Sequence, residues 1–206
     1  MKRHVLKIAF LLLLLMPWGC SFDDCGDLEQ TYLDITGMEG RNVLLLEGGY
    51  SIVESLSAGN EVVYHLYGIS ISPQAIYTSD APVQQSGLSF LPKAYACSPA
   101  LPAPTETVAD IAIFSDNDYV QASSSRVLTA GDTLNGIFNI YDYYSGRIVG
   151  LPDFLVDEDL AASDQGFILQ PSSRPAAAQS HAFTIHYRLT NGEFYQLTLP
   201  AVELVP

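Results

Sequence analysis

The amino-acid sequence predicts an all-β domain, an antiparallel β-sandwich (immunoglobulin-like or related) with one short helix. Three observations predict it: short segments alternate apolar and polar residues, an Asn-Gly pair separates two of them, and long amphipathic helical stripes are missing. In chain order, Glu61 to Ile71 is the first clear strand. Val63, His65, Tyr67, Ile69 and Ile71 fall on one face, and Val62, Tyr64 and Leu66 on the other. Asp110 to Phe114 is a short strand that stops at Ser115-Asp116-Asn117-Asp118, a turn-forming cluster. Ile137 to Tyr144 is rich in β-branched and aromatic residues, and Gly166 to Leu169 forms a further strand. Pro152 to Ala162 is the one helical stretch, with Pro152 near its start. The strand His181 to Thr190 places Phe183, Ile185, Tyr187 and Leu189 on one face. Asn191-Gly192 supplies the positive backbone angles of a tight turn, and Phe194 to Val202 returns with Tyr195, Leu197 and Leu199 in alternation. Ser98 to Thr107 and Pro171 to Gln179, rich in Pro, Ala and Ser, read as surface loops.

The N-terminus carries a different signal. Lys2, Arg3 and Lys7 precede an unbroken apolar run from Ile8 to Met16. A helix needs roughly 20 apolar residues to cross a bilayer, so this run is too short to span one. A basic head and a short apolar stretch instead match a secretory signal peptide. It closes on Pro17-Trp18-Gly19-Cys20, which resembles the lipobox of bacterial lipoproteins: Gly19 fits the place before the acylated Cys, whereas Pro17 and Trp18 depart from the usual pattern. The expected organisation is a signal peptide over residues 1–19, a lipid-bearing Cys20, an acidic tether over 20–30 and a single β-sandwich domain over 31–206. Each buried CH2 of an acyl chain contributes about 0.8 kcal/mol, so several chains make a lasting bilayer anchor.

Charge narrows the partners. Residues 1–19 hold three of the nine basic residues and no acidic one, so the remainder has six against twenty-three, a net charge of −17. That balance argues against nucleic acid and against an anionic lipid surface, both of which require basic patches. The remaining cysteines, Cys25 and Cys97, would meet an oxidising compartment, where pairing is the natural reading. Closing that loop would contribute on the order of 4 kcal/mol in the chain-entropy model. The alternative is two free buried thiols. No His or Cys lies at ligand spacing beside either one, and the sequence implies no metal and no cofactor.

Several segments resemble a family of uncharacterised Bacteroidota outer-membrane lipoproteins, each with a single domain of unknown function. They are Tyr32-Leu33-Asp34-Ile35-Thr36-Gly37, Ala94-Tyr95-Ala96-Cys97-Ser98-Pro99, Ile111 to Tyr119, Ala130 to Phe138 and the hairpin from His181 to Leu199. The resemblance implies a lipid-anchored protein of the outer membrane and brings no catalytic residue and no ligand. Ser21-Phe22-Asp23-Asp24 after Cys20 resembles the surface-export signal of such lipoproteins; the alternative is a periplasm-facing tether. Asp132-Thr133-Leu134 resembles their O-glycosylation acceptor, which would make Thr133 a glycan carrier on an exposed turn.

Candidate chemistry is sparse. Asp116 and Asp118, and the crowd of Asp157, Glu158, Asp159 and Asp164, could interest calcium, but no Asp-x-Asp-x-Asp-Gly loop followed by Glu is present, and solvated turns are the simpler reading. The histidines His65, His181 and His186 accompany many serines, yet no Gly-x-Ser-x-Gly elbow exists. Tyr141, Tyr143 and Tyr144 cluster, and strand alternation would put Tyr141 and Tyr143 on one face as a platform for a sugar ring. Aromatic strand residues also serve as cross-strand packing, and the sole Trp, Trp18, lies in the signal peptide. The sequence therefore predicts a non-enzymatic binding or envelope-accessory lipoprotein. A glycan-binding accessory of a polysaccharide uptake system is the alternative, and an exported hydrolase the second alternative. An exposed Tyr141/Tyr143 platform would favour the glycan, and a deep polar pocket joining a His to a Ser or carboxylate would favour the hydrolase.

Overall fold

A computed structural model describes residues 31–47, 49–79, 103–124, 126–143, 146–156 and 166–206. The chain divides into two units, and the one described below comprises Tyr32–Thr78 and Pro102–Pro206. Cys20, Cys25 and Cys97, and the acidic run from Asp157 to Asp164, lie outside the described residues.

The strand-rich reading holds: antiparallel sheets pack as a sandwich. Of the expected helical stretch Pro152–Ala162, the described residues show one turn, α1 (Leu151–Phe154), which ends well before Ala162; residues 157–165 lie outside the described residues. The larger sheet has seven strands. Its path runs β10 (Arg147–Gly150), β9 (Phe138–Asp142), β11 (Phe167–Pro171), β4 (Tyr67–Ser79), β1 (Thr31–Leu45) and β2 (Ile52–Ser55), with β5 (Ala103–Pro104) parallel to β1. Against it lies the three-stranded sheet of β14 (Phe194–Thr198), β13 (Phe183–Leu189) and β6 (Val108–Ser115). A second three-stranded sheet orders β12 (Gln179–His181), β15 (Val202–Val205) and β3 (Glu61–Val63), and β7 (Tyr119–Val120) pairs with β8 (Val127–Leu128).

The core forms because the alternating residues of both layers meet. Phe183, Ile185, Tyr187 and Leu189 of β13 and Ile111 and Ile113 of β6 face Ile69 and Ile71 of β4, Phe138 and Ile140 of β9, and Phe167 and Leu169 of β11. Aromatic rings bridge the layers: Phe183 meets Phe138 edge-on at 5.7 Å and stacks on Tyr67 at 5.7 Å, and Tyr187 stacks on Phe167 at 6.1 Å. Burying each such side chain contributes about 1.5–3 kcal/mol, which makes this interface the main stabilising element. One polar chain runs through it. Tyr67 donates to Asn42 Oδ1 at 2.6 Å, and the Asn42 amide donates to the Pro200 carbonyl at 2.7 Å, so both buried groups are matched.

The hairpin forms as its sequence predicts. Thr184 pairs with Thr198 through to Arg188 with Phe194, and Gly192 takes φ +97° in the turn. Elsewhere the boundaries differ. The expected strand Glu61–Ile71 is split by a 3-10 turn over Tyr64–Leu66, so Tyr67, Ile69 and Ile71 face the core while His65 is exposed. The expected return Phe194–Val202 ends at Thr198; past Leu199 and Pro200 the chain changes sheets and becomes β15, antiparallel to β12 and parallel to β3. Proline cannot donate to a ladder, which fits a crossover at that place. The loops also hold more structure than composition implies, since Pro175 bridges Gln121, and Glu106 beside β1 is buried.

The outward face of the large sheet is not purely polar. Val43, Leu45 and Ile168 form a second apolar cluster, covered by Tyr50, Ile52 and Tyr141. β1 serves both faces because its alternation shifts. Leu33 and Ile35 point to the main core, as do Met38 and Leu44, whereas Val43 and Leu45 point outward. The inward parity thus changes between Ile35 and Met38, as a strand irregularity brings about.

Candidate functional site

The outward cluster carries the feature of most functional interest. β9 directs Ile140 inward and Tyr141 outward, and Tyr141 is the register partner of both Ile168 on β11 and Ile148 on β10. Tyr50, from the β1–β2 connection, stacks on Tyr141 with ring centres 4.8 Å apart. Tyr143 approaches from the turn after β9 and meets Tyr141 edge-on at 5.2 Å. Ile148 is 53 % exposed and Tyr143 37 %, whereas Tyr50 and Tyr141 are half-buried, so Tyr143 and Ile148 are the part of the cluster that opens to solvent. Burial raises the Tyr50 hydroxyl above its usual range; burial and then Tyr141 raise that of Tyr143, against an opposing contribution from Arg41. Both hydroxyls therefore keep their protons at neutral pH and can donate to an acceptor oxygen.

Strand spacing identifies Tyr141 and Tyr143, and the structure brings them into contact. Strand alternation does not extend to Tyr143, because β9 ends at Asp142; the turn delivers its ring instead. Tyr144 lies outside the described residues. Tyr50 escapes sequence reasoning because it is some ninety positions from Tyr141 and sits in a connection with no alternating pattern. Its only signal is an aromatic residue following a Gly-Gly pair.

The histidines fall in three settings. His65 is exposed. His186, on the outward face of β13, lies between Phe114 at 4.7 Å and Phe194 at 5.0 Å. His181 is fully buried between the rings of Tyr119 at 5.2 Å and Phe183 at 5.4 Å, and its Nδ1 is 2.8 Å from Ser115 Oγ. Burial lowers its pKa to about 4, with Asp116 pulling the other way. Nucleophilic catalysis needs the serine at a surface that substrate can reach, with the second imidazole nitrogen held by a third group. Here Ser115 is buried and accepts the Asn117 amide, while His181 Nε2 has no partner among the described residues. The pair fastens the Ser115–Asp118 turn to β12.

The acidic turn residues act locally. Asp116 Oδ1 accepts the Ala182 amide at 2.7 Å, and Asp118 Oδ1 accepts the Ala130 amide at 2.8 Å. Among the described residues no group of three His, Cys, Asp or Glu could hold a metal ion. Thr133 is exposed, next to Asp132, whose carboxylate accepts the Thr129 amide at 3.2 Å. No helix among the described residues is long and apolar enough to cross a membrane.

These features define an all-β sandwich with a partly exposed aromatic cluster on the outward face of its larger sheet. No family model matches the chain, and no curated protein matches it. Among solved structures it is similar to the C-terminal domain of the Streptococcus pyogenes antigen I/II-family protein AspA, at 11 % identity and a TM-score of 0.23. That match covers 83 % of this chain and 47 % of the other, so the chain spans about half the length of that structure.

Proposed function

We propose that this protein is an exported lipoprotein, anchored in the outer membrane through acylated Cys20, that works by binding, and that carbohydrate is the ligand. The observation that carries the ligand class is the contact of Tyr50, Tyr141 and Tyr143 beside exposed Ile148. A sugar ring offers apolar C–H faces to an aromatic surface and hydroxyl oxygens to nearby donors, and this cluster supplies both. Affinity electrophoresis of the mature chain through gels containing soluble polysaccharides tests it. Retardation should fall at least about tenfold in affinity for Tyr143→Ala, roughly 1.4 kcal/mol. Equal mobility of wild type and variant in every polysaccharide would remove the glycan reading.

The anchor has its own test: Cys20→Ala should move the protein from the membrane fraction to the soluble fraction. Retention of the variant in membranes would overturn the lipid anchor. A second reading, an accessory protein docked to an envelope partner, rests on a second aromatic group, in which exposed Phe194 of β14 packs on half-buried His186 of β13 and His186 on half-buried Phe114 of β6. A pull-down of the lipidated protein from its native outer membrane separates the two, since a partner lost on Phe194→Ala and kept on Tyr143→Ala would favour this second reading.

A further inference from the structure

One corner of the sandwich gathers acceptors around too few protons. The β13–β14 turn, the segment before β6 and the start of β1 converge there. Thr190 is tied to Thr107 by backbone and hydroxyl contacts of 3.0 Å, and Thr105 donates to the Leu33 carbonyl at 2.9 Å through its hydroxyl. Asn191 accepts the Glu193 amide at 2.8 Å and donates its own amide to Glu106 Oε1. Tyr195 Oη lies 2.8 Å from the Ile35 carbonyl and 2.8 Å from Glu193 Oε2. A phenol has one proton, so it can serve only one of these two acceptors. Glu106 is 8 % exposed, and its Oε2 has no partner among the described residues. A buried carboxylate oxygen without a donor is costly, on the order of 1–3 kcal/mol or more.

We propose that this corner is a proton-binding latch: a proton taken up by Glu106 relieves its buried, unpartnered carboxylate oxygen where the hairpin turn meets β1 and so tightens that junction. The groups that face it are acidic or phenolic: Asp34 from β1, Glu193 from the turn, Tyr195 from β14 and Tyr187 from β13. Among the described residues none of the side chains whose charge acts on Glu106 is basic, and burial, then Glu193, raise its pKa above the ordinary glutamate value; the Ile35 amide opposes this, and Asp34 adds to it. The same surroundings push the Tyr195 hydroxyl up to about 12, so it remains a donor throughout. A carboxyl whose folded pKa is raised binds its proton more tightly in the native state than in the unfolded chain. The latch is therefore fully closed below the ordinary glutamate value and is lost as pH rises through the folded value.

Two measurements test it. In the full mature chain, the Glu106 side-chain carboxyl carbon followed by NMR should titrate above the ordinary glutamate value of about 4.3. Thermal midpoints of wild type and Glu106→Gln should diverge as pH rises, with wild type losing ground, because the amide mimics the protonated carboxyl and does not ionise. A contribution from His181 is common to both proteins and cancels in that difference. Titration of Glu106 at or below the ordinary value would overturn the proposal, and so would a difference in midpoints that does not change with pH. The NMR arm uses wild-type protein and stands even where the variant fails to fold.

Discussion

Single side chains decide much of the acid response of this protein. His181 sits between two rings with its Nε2 buried, and burial lowers its pKa to about 4 from an ordinary value of 6.5. A histidine with a depressed folded pKa is protonated more readily in the unfolded chain. Its contribution is therefore present above pH 6.5 and is lost as pH falls toward 4, by up to about 3 kcal/mol. We expect urea midpoints to fall steeply over that interval in wild type and less steeply in His181→Phe; parallel slopes would refute the assignment. The Asn42–Tyr67 pair gives a second expectation. Tyr67→Phe leaves the Asn42 Oδ1 acceptor without its buried donor and should cost about 1–3 kcal/mol at neutral pH by chemical denaturation. At this scale the sequence is only partly readable. Tyr141 and Tyr143 announce themselves by spacing, but nothing local marks Tyr50 as the ring that stacks on them, nor separates buried His181 from half-buried His186 five positions on.

At the scale of elements, readability follows the regularity of the alternation. The hairpin of β13 and β14 has unbroken period two and an Asn-Gly turn, so its position, faces and turn can all be read from the chain. β1 cannot, because Thr36-Gly37 interrupts its inward parity and its fifteen residues present no single apolar face. The 3-10 turn at Tyr64–Leu66 likewise hides behind an alternation that continues through it. Two glycines make these elements testable. Gly166 takes φ +74°, and a Cβ there would lie 2.2 Å from the Ile71 carbonyl oxygen. Gly166→Ala should separate β11 from β4 and cost several kcal/mol, at the severe end of point substitutions, of order 4 kcal/mol. Gly192 has open space, so Gly192→Ala should cost only the left-handed backbone penalty, about 1–2 kcal/mol. Comparable losses at the two positions would show that the close approach at Gly166 does not matter.

For the whole molecule, fold class was legible because it rests on the sum of many short alternating runs, and a misplaced boundary does not change that sum. The assembly of those runs was not legible. The crossover after Pro200 sends one continuous stretch of sequence into two sheets, and only long-range packing shows it: Asn42 reaches Pro200 across 158 positions. Deleting residues 202–205 should remove the shared neighbour of β12 and β3. We expect that truncated chain to unfold at a lower temperature and less sharply than the full chain in calorimetry, and a sharp transition near the wild-type midpoint would contradict this role for β15.

The parallel register of Glu61 with Glu203 also has a consequence in time. Closing a loop of that length costs about 4 kcal/mol of chain entropy before any contact offsets it. Folding that waits for such a closure is slow. Under the export proposed above, that delay would be useful to a chain threading a translocation channel as an extended polymer. On that proposal β3 would emerge long before its partner β15 and could not lock until β15 followed, so the topology itself would guard against premature closure of this sheet.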